Sequence, residues 1–322
     1  MNIESVSEFI KEIINKTQRL SGVDSSEIFW FRGEGSESYK TPLIPASYRM
    51  LGETIIPTEN DLFNSNDVRQ IENNVHASFV RKAMPYIVSS GIENSAWNRY
   101  FLMQHYNIKT RLLDWTENAL IAFFFAISEN TQSNENAVVW ILRPYRLNTF
   151  SVCQLLGVNK DYNFIPYGYD KSEPSDLLDE EQSINITELV RRYFYMEFEK
   201  GENDLGIYHP IAIYPTYLDQ RMNSQKSCFT IFGNKINGLL SNKNDQDIFL
   251  DKVIIPSASK ARILNELRIL GIDYTSVNPD LDGLGKSINQ QFESAYRDNS
   301  ETLFHVLENA EKSIKPAGNT AS

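Results

Sequence analysis

The sequence predicts an α+β protein, with one domain in which a split or mixed β-sheet is flanked by helices. Segments of strand character and segments of helical periodicity alternate irregularly, without the regular strand–helix repeat of a parallel α/β fold. No internal repeat is visible. The 322 residues, 41% of them hydrophobic, are enough for one large domain or two small ones. We expect the domain, with its N-terminal and C-terminal helices, to cover residues 1–312, and residues 313–322 to form a disordered tail.

The helical segments show apolar residues spaced three and four apart. Residues 5–16 carry one such stripe, and "DVRQIENNVHASFVRKAMPYI" predicts a helix that ends near Pro85. "SAWNRYFLMQHYN" and "ALIAFFFAI" predict two more helices, of which the second is buried. "ASKARILNELRILG" predicts a helix that runs from an N-cap at Ser257 to Gly271.

Runs rich in aromatic and β-branched residues predict the strands. Along the chain these are "SSEIFWF", "TRLL" as a short strand or turn, "AVVWILR", "IAIYP", "CFTIFG", "KVIIP" and "IDYTSV". Residues 158–185 are polar and acidic, and we expect them to form an excursion on the surface.

Charge and cysteine content argue against several classes of protein. With 31 basic and 42 acidic residues, a broad basic face for nucleic acid is not expected, whereas a local basic groove remains open. Cys153 and Cys228 are far apart and lack CxxC spacing, which argues against a zinc site or a disulfide scaffold. No signal-peptide pattern and no apolar run near the roughly 20 residues of a membrane span occur. We therefore expect a cytoplasmic protein without membrane contact and without a bound metal.

The stretch "FWFRGEG" places Arg32 at the end of a core strand, between aromatic residues and two glycines. Arginine is seldom buried without a partner, and its planar fork suits a phosphate or a carboxylate. Gly33 and Gly35 would let a ligand approach the backbone closely. The alternative is a structural ion pair with Glu34, Glu37 or a distant carboxylate.

A second polar block, "QHYNIKTRLLDWT", precedes the most apolar predicted helix. Asp114 and Thr116 lie at the start of that helix, where backbone N–H groups converge and anions bind. The alternative is capping, because Asp114 is a good N-cap and Glu117 completes a capping-box pattern. His105 is a candidate general acid or base, since its unperturbed pKa lies near neutrality. The alternative is that His105 is a half-buried histidine whose hydrogen-bonding groups have partners within the protein.

Five blocks, "FWFRGEG", "MQHYNIKTRLLDWTENALIAFFFA", "QRMNSQKSCFTIFG", "KVIIPSASKARILNELRILGI" and "NPDLDGLGKSI", occur in this order. Together they resemble the FRG domain family, which is named for its (F/Y)RG motif, over roughly residues 25–290. Members of that family often belong to bacterial, phage-related or mobile-element gene neighbourhoods. The resemblance therefore implies a bacterial effector with a role in antiviral defence or as a toxin.

A weaker resemblance, to ADP-ribosyltransferases of the Arg-Ser-Glu type, implies a chemistry and an ADP-ribosyltransferase-like sheet. Arg32 stands on an aromatic first strand, and "LLDWTENALIAFFFA" follows the layout of strand, polar triplet and apolar helix. "QRMNSQKSCFTIFG" is similar to the third element. Such a site binds NAD with a cation and stabilises an oxocarbenium-like transition state with a carboxylate. Where that carboxylate is expected, this sequence has Arg221, Asn223 and Gln225, with Asp219 nearby.

On this resemblance NAD is the substrate and no metal is needed. The catalytic candidates are Arg32, His105, Asp114 and Gln225, and the candidates for binding the cofactor are Arg32, Gly33, Tyr106, Arg111 and Thr116. A target protein or nucleic acid and a regulatory partner protein are the expected partners. Two other classes remain open: a non-catalytic module that binds a nucleotide or a protein, and a nuclease.

Overall fold

The computed structural model describes residues 3–22, 26–39, 42–49, 65–128, 134–168, 186–195, 207–240 and 247–292. The chain divides into two compact units, Met1–Ile272 and Asp273–Ser322. The predicted tail at residues 313–322 lies outside the described residues. In the part of the chain that is described, no helix combines the length and the apolar character needed to cross a membrane.

The first unit contains the sheet and the helices that surround it. Its strands are β1 (Trp30–Glu34), β2 (Leu112–Thr116), β3 (Ala137–Leu142), β4 (Ile211–Ile213), β5 (Ser227–Ile231) and β6 (Leu250–Ile255). Its helices are α1 (Val6–Ser21), α2 (Ala46–Arg49), α3 (Ser65–Ser90), α4 (Ala96–His105), α5 (Ala119–Ser128), α6 (Pro144–Leu156), α7 (Ile186–Tyr195), α8 (Gln220–Ser224) and α9 (Lys260–Ile269), the last preceded by a 3-10 turn at Ser257–Ser259. The second unit contains α10 (Tyr274–Val277) and α11 (residues 281–292).

The six strands form one sheet in the order β4-β5-β2-β1-β3-β6, and the strand pairs are antiparallel. The α+β class is confirmed. Instead of the expected split or mixed sheet, the structure has a continuous antiparallel sheet. The pairing between β1 and β2 is limited to a single residue pair. There only Phe31 and Thr116 are partners, whereas β1 pairs with β3 along its full length. Past that pair the two central strands separate.

One face of the sheet is covered by α5, whose side chains are almost entirely buried. Because strand side chains alternate, Phe31 and Gly33 face α5, whereas Arg32 and Glu34 face the opposite side. A Cβ atom on Gly33 would lie 2.0 Å from the carbonyl oxygen of Ala122 in α5. Gly33 is therefore a glycine because the backbones of β1 and α5 touch at this position, and its role beside a ligand stays a prediction.

Several predicted boundaries are corrected by the structure. Pro85 lies inside α3, which continues to Ser90. The segment "DWT" belongs to β2, so Asp114 is a strand residue and does not cap a helix. Asn118 caps α5 instead, because its Oδ1 accepts from the N–H of Leu120 at 2.9 Å.

The structure also differs from the prediction in two other places, the polar segment after α6 and the 3-10 turn before α9. Residues 158–161 are exposed, as expected for a surface excursion, whereas Tyr162 and Phe164 are buried in the main core. Residues 169–185 lie outside the described part. Ser257 does not cap α9, since it belongs to the 3-10 turn.

In the second unit, the segment "IDYTSV" was predicted as a strand but contains α10. Its capping box explains the difference, because Asp273 and Ser276 satisfy each other's backbone N–H groups. Asp280 accepts from the N–H of Gly283 at 2.7 Å at the start of α11. Local side-chain hydrogen bonds thus outweigh the β-propensity of Tyr and Val here.

Replacing Gly33 with alanine is expected to destabilise the protein by about 1–3 kcal/mol, because the new methyl group overlaps backbone atoms of α5 that cannot rotate away. Thermal unfolding of Gly33→Ala should show a melting temperature lower by several degrees. Gly285→Ala is the matched control, since its Cβ meets nothing within 4 Å and alanine favours a helix. An equal melting temperature for Gly33→Ala and the wild type would contradict the close packing of β1 on α5.

Candidate functional site

A polar cleft of about 510 Å³ opens where β1 and β2 separate. Its walls come from β1, the end of β2, the C-terminal end of α4 with the following turn, and α8 with the beginning of β5. Part of α5 forms the floor, through Ala122 and Phe125. The cleft thus results from the sheet topology. Where the two central strands separate, residues on both the polar and the apolar face of β1 become accessible.

Arg32 spans the gap between the two strands. Its Nη1 donates to the main-chain carbonyl of Asp114 at 2.9 Å and lies 3.8 Å from the Asp114 carboxylate. Its Nε donates to Glu34 at 3.2 Å. The side chain is only 17% exposed, and its Nη2 makes no hydrogen bond to a described residue. Arg32 therefore forms the predicted ion pair with Glu34 and still has a donor available in the cleft.

Glu34 is the fixed anchor of this arrangement. One carboxylate oxygen accepts from Arg32 and from the main-chain N–H of Leu43 at 3.2 Å, and the other accepts from the indole N–H of Trp140 at 2.9 Å. The carboxylate is buried and both of its oxygens are hydrogen-bonded, so it holds Arg32 in place.

Asp114 lies on the opposite wall and is the exposed acid of the cleft. Its side chain is 58% exposed, and Oδ2 accepts from Gln104 Nε2 at 2.8 Å. Gln104 in turn accepts from the hydroxyl of Thr110, which accepts from the N–H of Leu112 at 3.1 Å. This chain of hydrogen bonds orients one oxygen of Asp114, whereas Oδ1 has no partner among the described residues.

Basic side chains outnumber carboxylates around the cleft, although the whole chain carries a net charge of −11. The Nε of Arg221, on α8, is buried and has no hydrogen-bond partner, and no ion pair holds its guanidinium in the described structure. The lining residues with full charges are Arg32, Arg49, Lys109 and Arg221 against Glu34 and Asp114. An excess of positive charge in a cleft favours an anionic ligand.

His105 lies on the wall of the cleft and is bound to Asp219. Its Nε2 donates to Asp219 Oδ2 at 2.9 Å. Burial alone would raise the pKa of the Asp219 carboxyl, but the hydrogen bonds from His105 and from the N–H of Met222 outweigh it and hold that pKa below its usual value. Because the Nε2–H is engaged, Nδ1 is the ring nitrogen that remains for other contacts.

Thr116 and Gln225 connect β2 with the end of α8. The Thr116 hydroxyl donates to the main-chain carbonyl of Gln225 at 2.6 Å and accepts from the N–H of Asn118 at 3.0 Å. Both residues line the cleft. The hydroxyl of Thr116 is therefore committed to holding the backbone.

The cleft thus brings together Arg32, Gly33, His105, Asp114, Thr116 and Gln225 of the predicted site residues. Tyr106 lies elsewhere, because it is 65% exposed and lines an apolar groove of about 640 Å³ between α3 and α4. The groove is continuous with buried Leu102 and Ala83. The sequence placed Tyr106 beside His105, but adjacent residues at a helix end point in different directions.

Arg111 is also outside the cleft, in the core. Its side chain is 0% exposed, its Nε donates to Glu72 at 2.8 Å, and its remaining nitrogens donate to the carbonyls of Phe232 and Tyr193. Burial alone would lower the pKa of Arg111, but the Glu72 carboxylate and the hydroxyl of Tyr100 raise it above its usual value. Arg111 therefore ties together β2, α3 and α7 as a structural residue and is not placed to bind a cofactor.

Backbone strain accompanies the cleft. Asn107 lines it with φ of 58°, and Lys226, next to Gln225, has φ of 49°. Leu43, whose N–H binds Glu34, has φ of 54° and is buried. A left-handed conformation is costly for residues other than glycine and concentrates at functional sites.

No local pattern in the sequence marks Arg221, Lys109 or Arg49 as site residues. Arg221 stands in the sequence only as a departure from the expected carboxylate, and the other two lie in polar segments without a motif. These three residues share a positive charge, and only long-range folding brings the three charges together. A local sequence pattern therefore does not identify them. In the described ranges no group of three or more His, Cys, Asp or Glu residues is arranged to hold a metal ion.

Replacing Glu72 with glutamine is expected to destabilise the protein by about 3 kcal/mol, because the buried charge of Arg111 loses its counter-ion. Chemical denaturation should show a lower midpoint at an unchanged slope. Glu188→Gln is the control, because Glu188 pairs with Arg191 on the surface and such a pair contributes little. Equal unfolding free energies for the two variants would contradict the structural role of the Arg111–Glu72 pair.

The family model described as FRG domain matches residues 27–135, which contain β1, α4, β2 and α5, and with them Arg32, His105 and Asp114. No curated protein and no solved structure matches the chain. The match therefore covers β1 and the Gln104–Thr116 wall of the cleft, whereas α8 and β5 lie outside it.

Proposed function

We propose that the cleft between β1 and β2 binds a phosphate-bearing nucleotide. The observation that carries this proposal is the pair of arginines, Arg32 and Arg221, which line one polar cleft with guanidinium donors that no described residue accepts. A buried Nε without a partner costs free energy unless something accepts its hydrogen. A phosphate supplies acceptor oxygens and negative charge in the geometry that a guanidinium prefers.

The charge of the cleft favours a diphosphate over a single carboxylate. Four Lys and Arg residues line the cleft together with two carboxylates, of which Glu34 is held by Arg32, Leu43 and Trp140. The lining residues therefore carry an excess of two positive charges, which is close in magnitude to the charge of a diphosphate group. The protein's overall acidity adds selectivity, since a polyanion such as a long nucleic acid would be repelled elsewhere on the surface.

Aromatic side chains on the same cleft suit a nucleobase. Phe125 on α5 is half-buried and lines the floor, and the exposed Tyr39 lies at the edge. Stacking on such rings contributes about 1–3 kcal/mol for a base and tolerates any base identity. A ligand with a base at one end and phosphates at the other matches this division of the cleft into an aromatic part and a basic part.

Calorimetric titration tests the proposal with ADP, NAD and adenosine as probes. Wild-type protein should bind ADP and NAD and show much weaker binding of adenosine, with affinity falling as salt is raised. Arg221→Gln should weaken ADP binding by about 10- to 100-fold, the loss of one charge-assisted contact, and leave thermal stability unchanged. The matched control is Arg262→Gln, because Arg262 pairs only with Glu266 on the surface of α9. Equal binding of ADP and adenosine would refute a phosphate site.

A second candidate, NAD cleavage or ADP-ribosyl transfer in defence or toxin action, is favoured by Asp114. Its exposed Oδ1 faces the cleft without a partner, opposite Arg32. With the pyrophosphate of NAD on the arginines, this carboxylate would stabilise the positive charge that develops on the nicotinamide ribose as nicotinamide leaves with the electrons of the glycosidic bond. Water or a target protein or nucleic acid would then attack the ribose carbon and give up a proton.

Labelled NAD incubated with the protein, alone and with cell lysate, tests the second candidate by mass spectrometry. We expect slow release of nicotinamide by the protein alone, faster release with a partner in the lysate, and a loss of about 100-fold in Asp114→Asn. Asp161→Asn is the control, because Asp161 is an exposed acid paired with Arg146. Binding of NAD without nicotinamide release or transfer in any condition would leave the nucleotide-binding module and remove the enzyme.

A further inference from the structure

The helix that carries Arg221 is held in place by contacts at both of its ends. Helix α8 has only five residues, and a helix of that length is not stable in isolation. At its start, Asp219 Oδ1 accepts from the N–H of Met222 at 2.8 Å. At its end, the carbonyl of Gln225 accepts from the hydroxyl of Thr116. The position of α8 is therefore set by neighbouring elements.

Asp219 divides its two carboxylate oxygens between two elements. Oδ1 caps α8, and Oδ2 accepts from Nε2 of His105, the last residue of α4, at 2.9 Å. The His105 side chain is 9% exposed and that of Asp219 is 29% exposed, so the contact is shielded from water. One carboxylate thus joins the last turn of α4 to the first turn of α8 across the wall of the cleft.

The direction of the Arg221 side chain depends on the position of α8, because no described side chain holds its guanidinium. No carboxylate in the described chain lies within ion-pair distance of its guanidinium, and its buried Nε has no acceptor. A direct ion pair would hold the side chain but would also neutralise its charge and compete with a ligand. Holding the backbone of α8 instead leaves the full charge available to an anion.

The geometry points to Asp219 as a positioning residue of the cleft, one that acts through the backbone of α8 and through His105 to aim Arg221 at a bound phosphate. This role rests on the proposed nucleotide-binding function. It assigns Asp219 no contact with the ligand, in contrast to the carboxylate role that its sequence position suggested. It also gives His105 a structural duty that does not require acid–base chemistry.

Hydrogen exchange of the full chain without any ligand tests the mechanical part. In Asp219→Ala the amides of residues 220–226 should exchange about fivefold faster, the factor expected for loss of an N-cap, and Asp219→Asn should fall between it and the wild type because asparagine also caps. Asp273→Ala is the matched control, since Asp273 caps α10 in the other unit and should leave residues 220–226 unchanged. Unchanged exchange in Asp219→Ala would overturn the inference.

A double-mutant cycle with ADP as the probe tests the link to Arg221. Asp219→Ala should weaken ADP binding about fivefold in the wild-type background and less than twofold when Arg221→Gln is already present. An equal loss in both backgrounds would overturn the inference, because Asp219 would then act independently of Arg221. Absence of ADP binding by the wild type would refute the proposed function, whereas the exchange experiment would still decide whether Asp219 holds α8.

Discussion

The separation of β1 from β2 is the constraint on which the rest of the structure depends. In an antiparallel sheet the strands would continue past Phe31 and Thr116 with further backbone hydrogen bonds. Here the carbonyl of Asp114 accepts from the guanidinium of Arg32 instead. A side chain thus satisfies a main-chain acceptor that the sheet leaves free, and the space that the missing ladder would fill becomes the cleft. Arg32 was predicted at the end of its strand but is the middle residue of β1, and its side chain bridges this gap.

Arg111 and Arg32 show how a structural arginine differs from one in a candidate site. Both are largely buried, but they differ in whether all of their hydrogen-bond donors have acceptors. Arg111 is fully enclosed, and Glu72 together with several carbonyls accepts its hydrogens. Arg32 is mostly buried as well, yet one of its nitrogens remains without a described partner. Since a saturated guanidinium has nothing left to offer a ligand, Arg111 stabilises the core, whereas Arg32 and Arg221 keep the capacity to bind an anion.

The sequence predicted the parts of this architecture that local patterns determine. The aromatic strand with Arg32, the buried helix "ALIAFFFAI" and the strand "AVVWILR" follow from apolar runs, and the polar block between Gln104 and Thr116 was placed beside Arg32. The prediction that Asp114 caps a helix was wrong. An aspartate followed three positions later by a glutamate is typical of a helix N-terminus, but it also occurs at the end of a strand. Whether a carboxylate caps a helix or faces a cleft is decided by the pairing of β2 with β5, which is a long-range contact.

Long-range contacts also explain why Arg221 was not predicted as a site residue. The matched segment, residues 27–135, supplies Arg32, Asp114 and His105, but the opposite wall comes from Arg221 and Gln225, about a hundred residues later in the chain. Arg221 lies on a helix too short to be stable by itself, so its position depends on contacts with the first segment. The His105–Asp219 and Thr116–Gln225 contacts join the two segments. Residues 27–135 therefore depend on the later strands and on α8 for a complete cleft, because neither segment alone supplies both walls.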